Sequence, residues 1–182
     1  MKKLFFCALC LCTTILYADD YRSAALDLCL IIDGSSAVSN TKDEIVTWLS
    51  QTVIDGILQN NDKLTVWLVQ KDAQIIFSDI IDANGKNRAK TALKAVTPSQ
   101  TITNFDPALE AAVKREIDPN HIPYTLLVSG SISALSATLS GKQAGALRFS
   151  KTEDHRGWQS IVIATDITNR VQQAAASYMA GR

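Results

Sequence analysis

Apolar positions along the chain fall into continuous runs and into stripes of helical period. Five short runs rich in branched side chains predict β-strands, namely residues 26–32, 64–69, 74–81, 124–128 and 159–165. The first run is apolar except for Asp27, which is typical of a strand buried on both faces of a parallel sheet. Lys71 and Asp72 form a tight turn between the second and third runs, so these two strands should form a hairpin.

Stripes with a spacing of three or four residues predict helices between these strands. Asn40 or Thr41 can cap a helix that extends to about residue 57, and a short basic helix is expected at residues 88–95. Asp106-Pro107 begins a third helix, with Asp106 as the cap, and residues 167–179 form a last one. Residues 131–149 show no clear pattern beyond a candidate helix. This order predicts an open, mostly parallel α/β sheet with one antiparallel edge hairpin and helices on both faces.

The first eighteen residues have the pattern of a secretory signal. Three residues with two lysines precede an apolar stretch at residues 4–16, and Ala18 is followed at once by acidic residues. We expect cleavage after Ala18, which leaves residues 19–182 as a single domain of an exported protein, periplasmic or secreted. An uncleaved anchor is the alternative. Lipidation is disfavoured because Cys10 and Cys12 each follow a leucine rather than a small residue.

Charge and cysteine content change after this cleavage. The 18 basic and 18 acidic residues of the full chain balance, and loss of Lys2 and Lys3 leaves a net charge of −2. With no basic excess, nucleic acid and anionic membranes are not expected partners. Three of the four cysteines leave with the signal, so Cys29 remains alone and no internal disulfide can form. Its apolar surroundings predict a buried thiol.

Side chains that carry oxygen follow several of the predicted strands. Asp33 to Ser36 come after the first strand, Thr101 and Thr103 precede the Asp106 helix, and Ser129 ends the fourth strand. The pair Thr165-Asp166 follows the fifth strand. Because ligands of open α/β sheets bind beyond the carboxyl ends of the strands, these loops should converge. Such oxygens suit a hard divalent cation, and they equally suit a hydrogen-bond network that ties the loops together.

Four segments in order give the chain a resemblance to the von Willebrand factor type A family. They are LIIDGSS, LTVWLVQKDAQIIF, TNFDPALEAAV and YTLLVSGS, and the resemblance covers roughly residues 26–175. It implies a doubly wound α/β fold that binds another protein through the rim above the carboxyl ends of the strands. The family's last strand is missing from the sequence, so the sheet is expected to be truncated there.

The family's metal-ion-dependent adhesion site is only partly matched. Its pattern is D-x-S-x-S, then a threonine, then an aspartate; Asp33, Ser35 and Thr103 match it. Ala37 stands at the second serine position and Ser129 at the last aspartate position. The resemblance therefore implies a degenerate site for Mg or Ca, with one formal negative charge instead of two and reduced affinity. Ser36 and Ser129 are auxiliary ligand candidates.

The function that follows is an exported adhesion or assembly module with weak or no metal dependence. Its expected partner-binding residues are Asp33, Ser35, Ser36, Thr101, Thr103 and Ser129. The alternative is a structural subunit of an envelope or secretion assembly that contacts partners through its helices. In that case Trp48, which lies off the clearest apolar stripe, the basic helix at residues 86–94 and the terminal helix would form the contacts.

Catalysis is not expected. The sequence contains neither a P-loop pattern nor a G-x-S-x-G pattern. A remote alternative is a cryptic serine hydrolase that pairs Ser129 with His155. However, His155 lies in a polar segment, residues 151–156, that we expect to be solvated. His121 should lie at the opposite edge of the sheet from the candidate loops.

Overall fold

The computed structural model describes residues 24–100, 103–130 and 147–165, with side chains from 153 to 163 in the last range. The predicted signal, Thr101, the 131–146 segment and the 167–179 helix lie outside the described residues. Within the described ranges, no helix is both long and apolar enough to cross a membrane.

One mixed sheet organises the described part of the chain. Its strands are β1 (Ala25–Asp33), β2 (Lys63–Val69), β3 (Ala73–Ile80), β4 (His121–Ser129), β5 (Leu147–His155) and β6 (Trp158–Thr165). Their spatial order is β3-β2-β1-β4-β6-β5, and four of the six strands run in the same direction. The expected open α/β sheet is confirmed, and so is the β2–β3 hairpin.

Strand β1 occupies the middle of the sheet. It pairs in parallel with β2 on one side and β4 on the other, so that Leu30 lies between Val66 and Leu126. Its residues from Leu26 onward are buried, as the continuous apolar run predicts. A strand buried on both faces needs helices above and below it.

Helices cover both faces of β1. On one face lie α1 (Lys42–Trp48), a π-helical segment that continues it (Leu49–Asp55) and α2 (Ala83–Ala95). On the other face lies α3 (Asp106–Lys114), which buries Phe105 and Leu109. The sequence predicted the first helix as a single α-helix; its change to π geometry at Leu49 was not predicted. Helix α2 begins earlier than expected because Asp82 caps it by accepting a hydrogen bond from Gly85 N.

The second half of the sheet differs from the prediction. Strand β5 was not predicted, because its sequence, LRFSKTEDH, has almost no apolar periodicity. As an edge strand it is held by backbone pairing to β6 and needs no apolar face. The turn that joins them contains Gly157 at a φ of +86°, a conformation that favours glycine.

The direction of β6 corrects a second expectation. It runs antiparallel to β4, with Ser129 opposite Gln159 and Thr125 opposite Ile163. Thr165 therefore lies near the amino end of β4 and not with the candidate loops. The turn at residues 156–157 lies instead near the carboxyl end of β4. The expected position of His121 at the far edge is confirmed, since its Nε2 contacts Asn61 O there at 3.1 Å.

A buried ion pair fixes the amino end of β1. Asp27 is only 1% exposed, and Arg115 Nε donates to its Oδ1 at 3.1 Å while Lys63 Nζ lies 3.5 Å from Oδ2. Arg115 also donates to the Asp27 and Tyr124 carbonyls and to the Thr125 hydroxyl. The guanidinium thus joins α3, β1 and β4 through one side chain.

Removal of the Arg115 charge should destabilise the protein strongly. Arg115→Met leaves the buried Asp27 carboxylate without its closest cation, and the expected loss is about 3 kcal/mol of unfolding free energy. Urea denaturation measures it. The matched control is Arg88→Met, whose exposed pair with Asp79 should contribute less than about 1 kcal/mol. Equal losses in the two variants would contradict a central role for Arg115.

The Cys29 thiol should be unreactive in the folded protein. It is buried as predicted, and burial raises its pKa to about 11, although the nearby Arg115 charge partly opposes this shift. At pH 8 the thiolate fraction should be lower by at least about a hundredfold than in an exposed cysteine. Peptide mapping after iodoacetamide treatment should find Cys29 modified only in urea, while the exposed thiol introduced by the control substitution Asn60→Cys is modified without it. Rapid native modification of Cys29 would show that the core opens.

Candidate functional site

The carboxyl ends of β1 and β4 are joined by the Asp33 side chain. Asp33 is the last residue of β1, and its carboxylate is only 1% exposed. Its Oδ2 accepts from Ser129 Oγ at 3.0 Å and from Gly130 N at 3.2 Å, and its Oδ1 accepts from Ser35 N at 2.9 Å. A buried carboxylate requires such donors, because hydrogen bonds replace the water that it has lost. The structure thus brings together three of the predicted residues: Asp33, Ser35 and Ser129.

Ser35 continues this network into the loop after β1. Its hydroxyl oxygen accepts from Ala37 N at 3.3 Å and caps a short 3₁₀ turn, Ser36–Val38. Ser36 itself is exposed at the start of this turn. Ser35 therefore has a structural role, whereas the Ser36 side chain is free to meet solvent or a partner surface.

Two glycines allow the loops to approach closely. A Cβ at Gly34 would lie 2.7 Å from side-chain atoms of Gln70 and Leu68, and one at Gly130 would lie 2.9 Å from the Ala37 carbonyl oxygen. Both positions are therefore restricted to glycine by packing. Close contact is what allows the Gly130 amide to reach Asp33.

Gln70 connects a third strand to the network, and sequence reasoning missed it. Its side-chain amide donates to Gly34 O at 3.2 Å and to Thr97 O at 2.9 Å. The main-chain carbonyl of Gln70 accepts a hydrogen bond from Asn104 N at 3.2 Å. The only sequence signal was its place directly after β2. Through Gln70, the loop before α3 is tied to the ends of β1 and β2.

Thr103 does not join Asp33 and Ser35 in the way that the sequence analysis expected for a shared metal site. It is half-buried beside Asn104, and among the described residues its hydroxyl makes no hydrogen bond with Asp33. The N-cap position of α3 is Phe105, not Asp106 as expected, and Asn104 Oδ1 accepts from Asp106 N at 3.1 Å. Pro107 occupies the first turn, as predicted.

The rim residues do not fit a tightly bound Mg or Ca ion. Among the described residues at the ends of β1 and β4, Asp33 is the one carboxylate, and both of its oxygens already accept hydrogen bonds from the chain. A cation at Oδ2 would have to compete with the Ser129 hydroxyl and the Gly130 amide for its lone pairs. In the ranges that the structure describes, no group of three or more His, Cys, Asp or Glu side chains is placed to hold a metal. Hard cations are usually bound by several anionic oxygens.

The histidine that was paired with Ser129 in the remote catalytic alternative has other contacts. The His155 ring stacks on Trp158 with centroids 3.6 Å apart, and its Nε2 lies 3.3 Å from Ser160 Oγ. It is half-buried, so the expectation of a solvated side chain is wrong. The Ser129 proton is directed to Asp33, not to an imidazole base. This arrangement does not provide an activated serine nucleophile.

The sequence matches no protein-family model and no curated protein. Among solved structures, the chain is similar to a von Willebrand factor type A protein from Catenulispora acidiphila, with 13% identity and a TM-score of 0.48. This match covers 64% of this chain and 30% of that chain. Proximal thread matrix protein 1 from the mussel byssus is also similar, with 14% identity and a TM-score of 0.46 over 58% of this chain and 30% of that one. The chain thus spans less than a third of either protein.

Proposed function

We propose that the chain is an exported protein-binding module of the von Willebrand factor A type, whose contact face is the rim at the carboxyl ends of β1, β2 and β4. The observation that carries this proposal is the network around Asp33. It holds the loops after β1 and β4 in one arrangement, and Gln70 adds the loop before α3. A contact face that is ordered before binding loses little entropy when a partner docks.

The chemistry of the rim favours hydrogen bonding and packing. Ser36 and Asn104 expose polar side chains there, and the carboxylate of Asp33 is buried beneath them. The role of Asp33 is therefore to position the loops, and the partner meets the polar side chains that these loops expose.

Metal independence is part of the same proposal. In an intact adhesion site a bound ion links the rim to a carboxylate of the partner. Here Ser129 supplies a hydroxyl that donates to Asp33, so the loops are joined without an ion. We expect a partner to bind with weak or no dependence on Mg or Ca.

Contact through the helices is the competing function. Its basic surface on α2 is partly neutralised within the chain, because Arg88 pairs with Asp79 and Lys90 pairs with Asp55. These contacts reduce the charge that α2 offers to a partner and favour the rim as the principal face.

Site-specific photocrosslinking distinguishes the two surfaces. With p-benzoylphenylalanine at the exposed rim position Ser36, we expect one discrete adduct in the cell envelope, because that side chain meets the partner. The matched control is Asn60, exposed at the opposite edge of the sheet, which should give none. Ser36→Arg should abolish partner binding without lowering the melting temperature. Adducts from positions on α2 with none from Ser36 would establish the competing function.

Divalent ions should not stabilise the protein. A ligand at 100 times its dissociation constant raises the unfolding free energy by about 2.7 kcal/mol, which corresponds to roughly 5–10 °C for a domain of this size. We expect melting temperatures in EDTA, Mg, Ca and Mn at fixed ionic strength to agree within about 1 °C. A larger rise that disappears in Asp33→Asn would show instead that the rim holds an ion.

A further inference from the structure

A groove lies between the first long helix and the β5–β6 hairpin, on a surface different from the rim face. One part has a volume of about 440 Å³ and is lined by Asp43, Glu44, Trp48 and His155, among others. A second part of about 200 Å³ is lined by Ile57, Tyr124, Leu126 and Val162, among others. Both parts are lined by Trp48 and Thr52, so they lie next to each other along the first long helix. The larger part is within the range of ligand-binding clefts, about 300–1,000 Å³.

The end of the groove nearest the rim is acidic. Asp43 and Glu44 lie exposed in the first turn of α1, where negative charge also favours the helix dipole. Neither carboxylate forms an ion pair with a lysine or arginine in the described part of the chain. Both are therefore available to a cation that enters the groove.

Aromatic rings form the middle of the groove. Trp48 makes edge contacts with His155 and with Trp158, each with ring centroids 5.3 Å apart. Trp158 is only 2% exposed and is covered on one face by His155, so Trp48 is the ring with accessible surface. Tryptophan binds cationic side chains most favourably among the aromatic residues. The acidic and aromatic groups thus favour the same class of ligand.

The far end of the groove presents several large apolar side chains, and Glu153 and Ser160 also line it. Ile57 and Tyr124 are 44% and 40% exposed, which is high for large apolar side chains. Leu126 and Val162 lie between them on the sheet. An occupant of this end gains by removing these side chains from water.

The two ends are too far apart for a small cation to contact both. From Asp43 to Ile57 the helix rises roughly 20 Å, which equals the length of about six residues of extended chain. A polypeptide with one charged and several apolar side chains fits both ends at once.

We propose that this groove binds an extended segment of a partner polypeptide in which a lysine or arginine precedes apolar side chains. The cation lies over Trp48 between Asp43 and Glu44, and the apolar side chains follow toward Ile57 and Tyr124. The π-helical segment begins directly after Trp48. Such segments are rare and occur frequently at functional sites, which agrees with a binding role for this stretch.

The three tryptophans of the chain provide the measurement. The probe is the peptide acetyl-Gly-Arg-Leu-Val-Leu-Gly-amide, titrated into ¹⁵N-labelled protein. We expect the indole N–H signals of Trp48 and Trp158 to shift. Trp67, which packs on the opposite face of the sheet with α3, should not shift and serves as an internal control.

Charge and ring variants test the proposed contacts. Asp43→Asn/Glu44→Gln keeps the shapes of both side chains and should weaken peptide binding roughly three- to tenfold. The matched control Asp72→Asn/Glu116→Gln removes two exposed carboxylates elsewhere and should leave the affinity unchanged. Trp48→Leu should weaken binding to a similar degree. A peptide with glutamate in place of arginine should not bind.

Several results would overturn the proposal. Peptide binding that is unaffected by Asp43→Asn/Glu44→Gln, or that shifts Trp67 instead, would place the contact elsewhere. Equal affinity for N-acetyl-arginine amide alone would indicate a site for small cations, and Trp48 shifts that depend on protein concentration without peptide would indicate a second copy of the chain. The rim variant Ser36→Arg should bind the peptide normally, so failure here is separate from failure of the rim proposal.

Discussion

Strand β1 carries a buried aspartate near each of its ends. The position of the neighbouring strand and loops depends on the hydrogen bonds and the ion pair that these two carboxylates form. Asp27 is paired with Arg115, which reaches from the end of α3 across to β4. Asp33 accepts hydrogen bonds from the loop that follows it and from the end of β4. Burial of either carboxylate without these donors would cost several kcal/mol, because the hydrogen bonds to water would be lost and not replaced. The pairing of β1 with β4 is therefore enforced by polar contacts at both ends, with apolar packing between them.

In the proposed function, Ser129 stands where the resemblance to the von Willebrand factor A family implies an aspartate, and this changes the electrostatics of the rim. Two carboxylates facing each other at the ends of β1 and β4 would repel and would need a cation between them. A hydroxyl at this position donates to Asp33 directly, so one attractive contact stands where a repulsive pair would otherwise be. In the proposed function the rim thus keeps the ordered loops of an adhesion site without the ion.

Much of the fold and part of the site could be predicted from sequence. The apolar runs located β1, β2, β3, β4 and β6, and the turn residues located the β2–β3 hairpin and the start of α3, because these features leave local patterns. The predicted strand order was sufficient to place Asp33, Ser35 and Ser129 at the same edge of the sheet. Strand β5 could not be found, since its sequence is mostly polar and the strand is defined by backbone pairing with β6. The cluster of Trp48, His155 and Trp158 joins residues more than a hundred positions apart. Whether they meet depends on the direction of β6, and local sequence does not encode that direction.

The sequence separation of the Asp33–Ser129 hydrogen bond has a consequence for the order of assembly. The two residues lie 96 positions apart, whereas the β2–β3 hairpin closes over a few residues. Contacts between distant residues form more slowly because a long loop must close first. A chain that has emerged from the ribosome only as far as α3 can form this hairpin but has no partner for Asp33. The rim therefore cannot exist on a nascent chain until β4 has been synthesised, which delays any rim-dependent recognition until the centre of the sheet is complete.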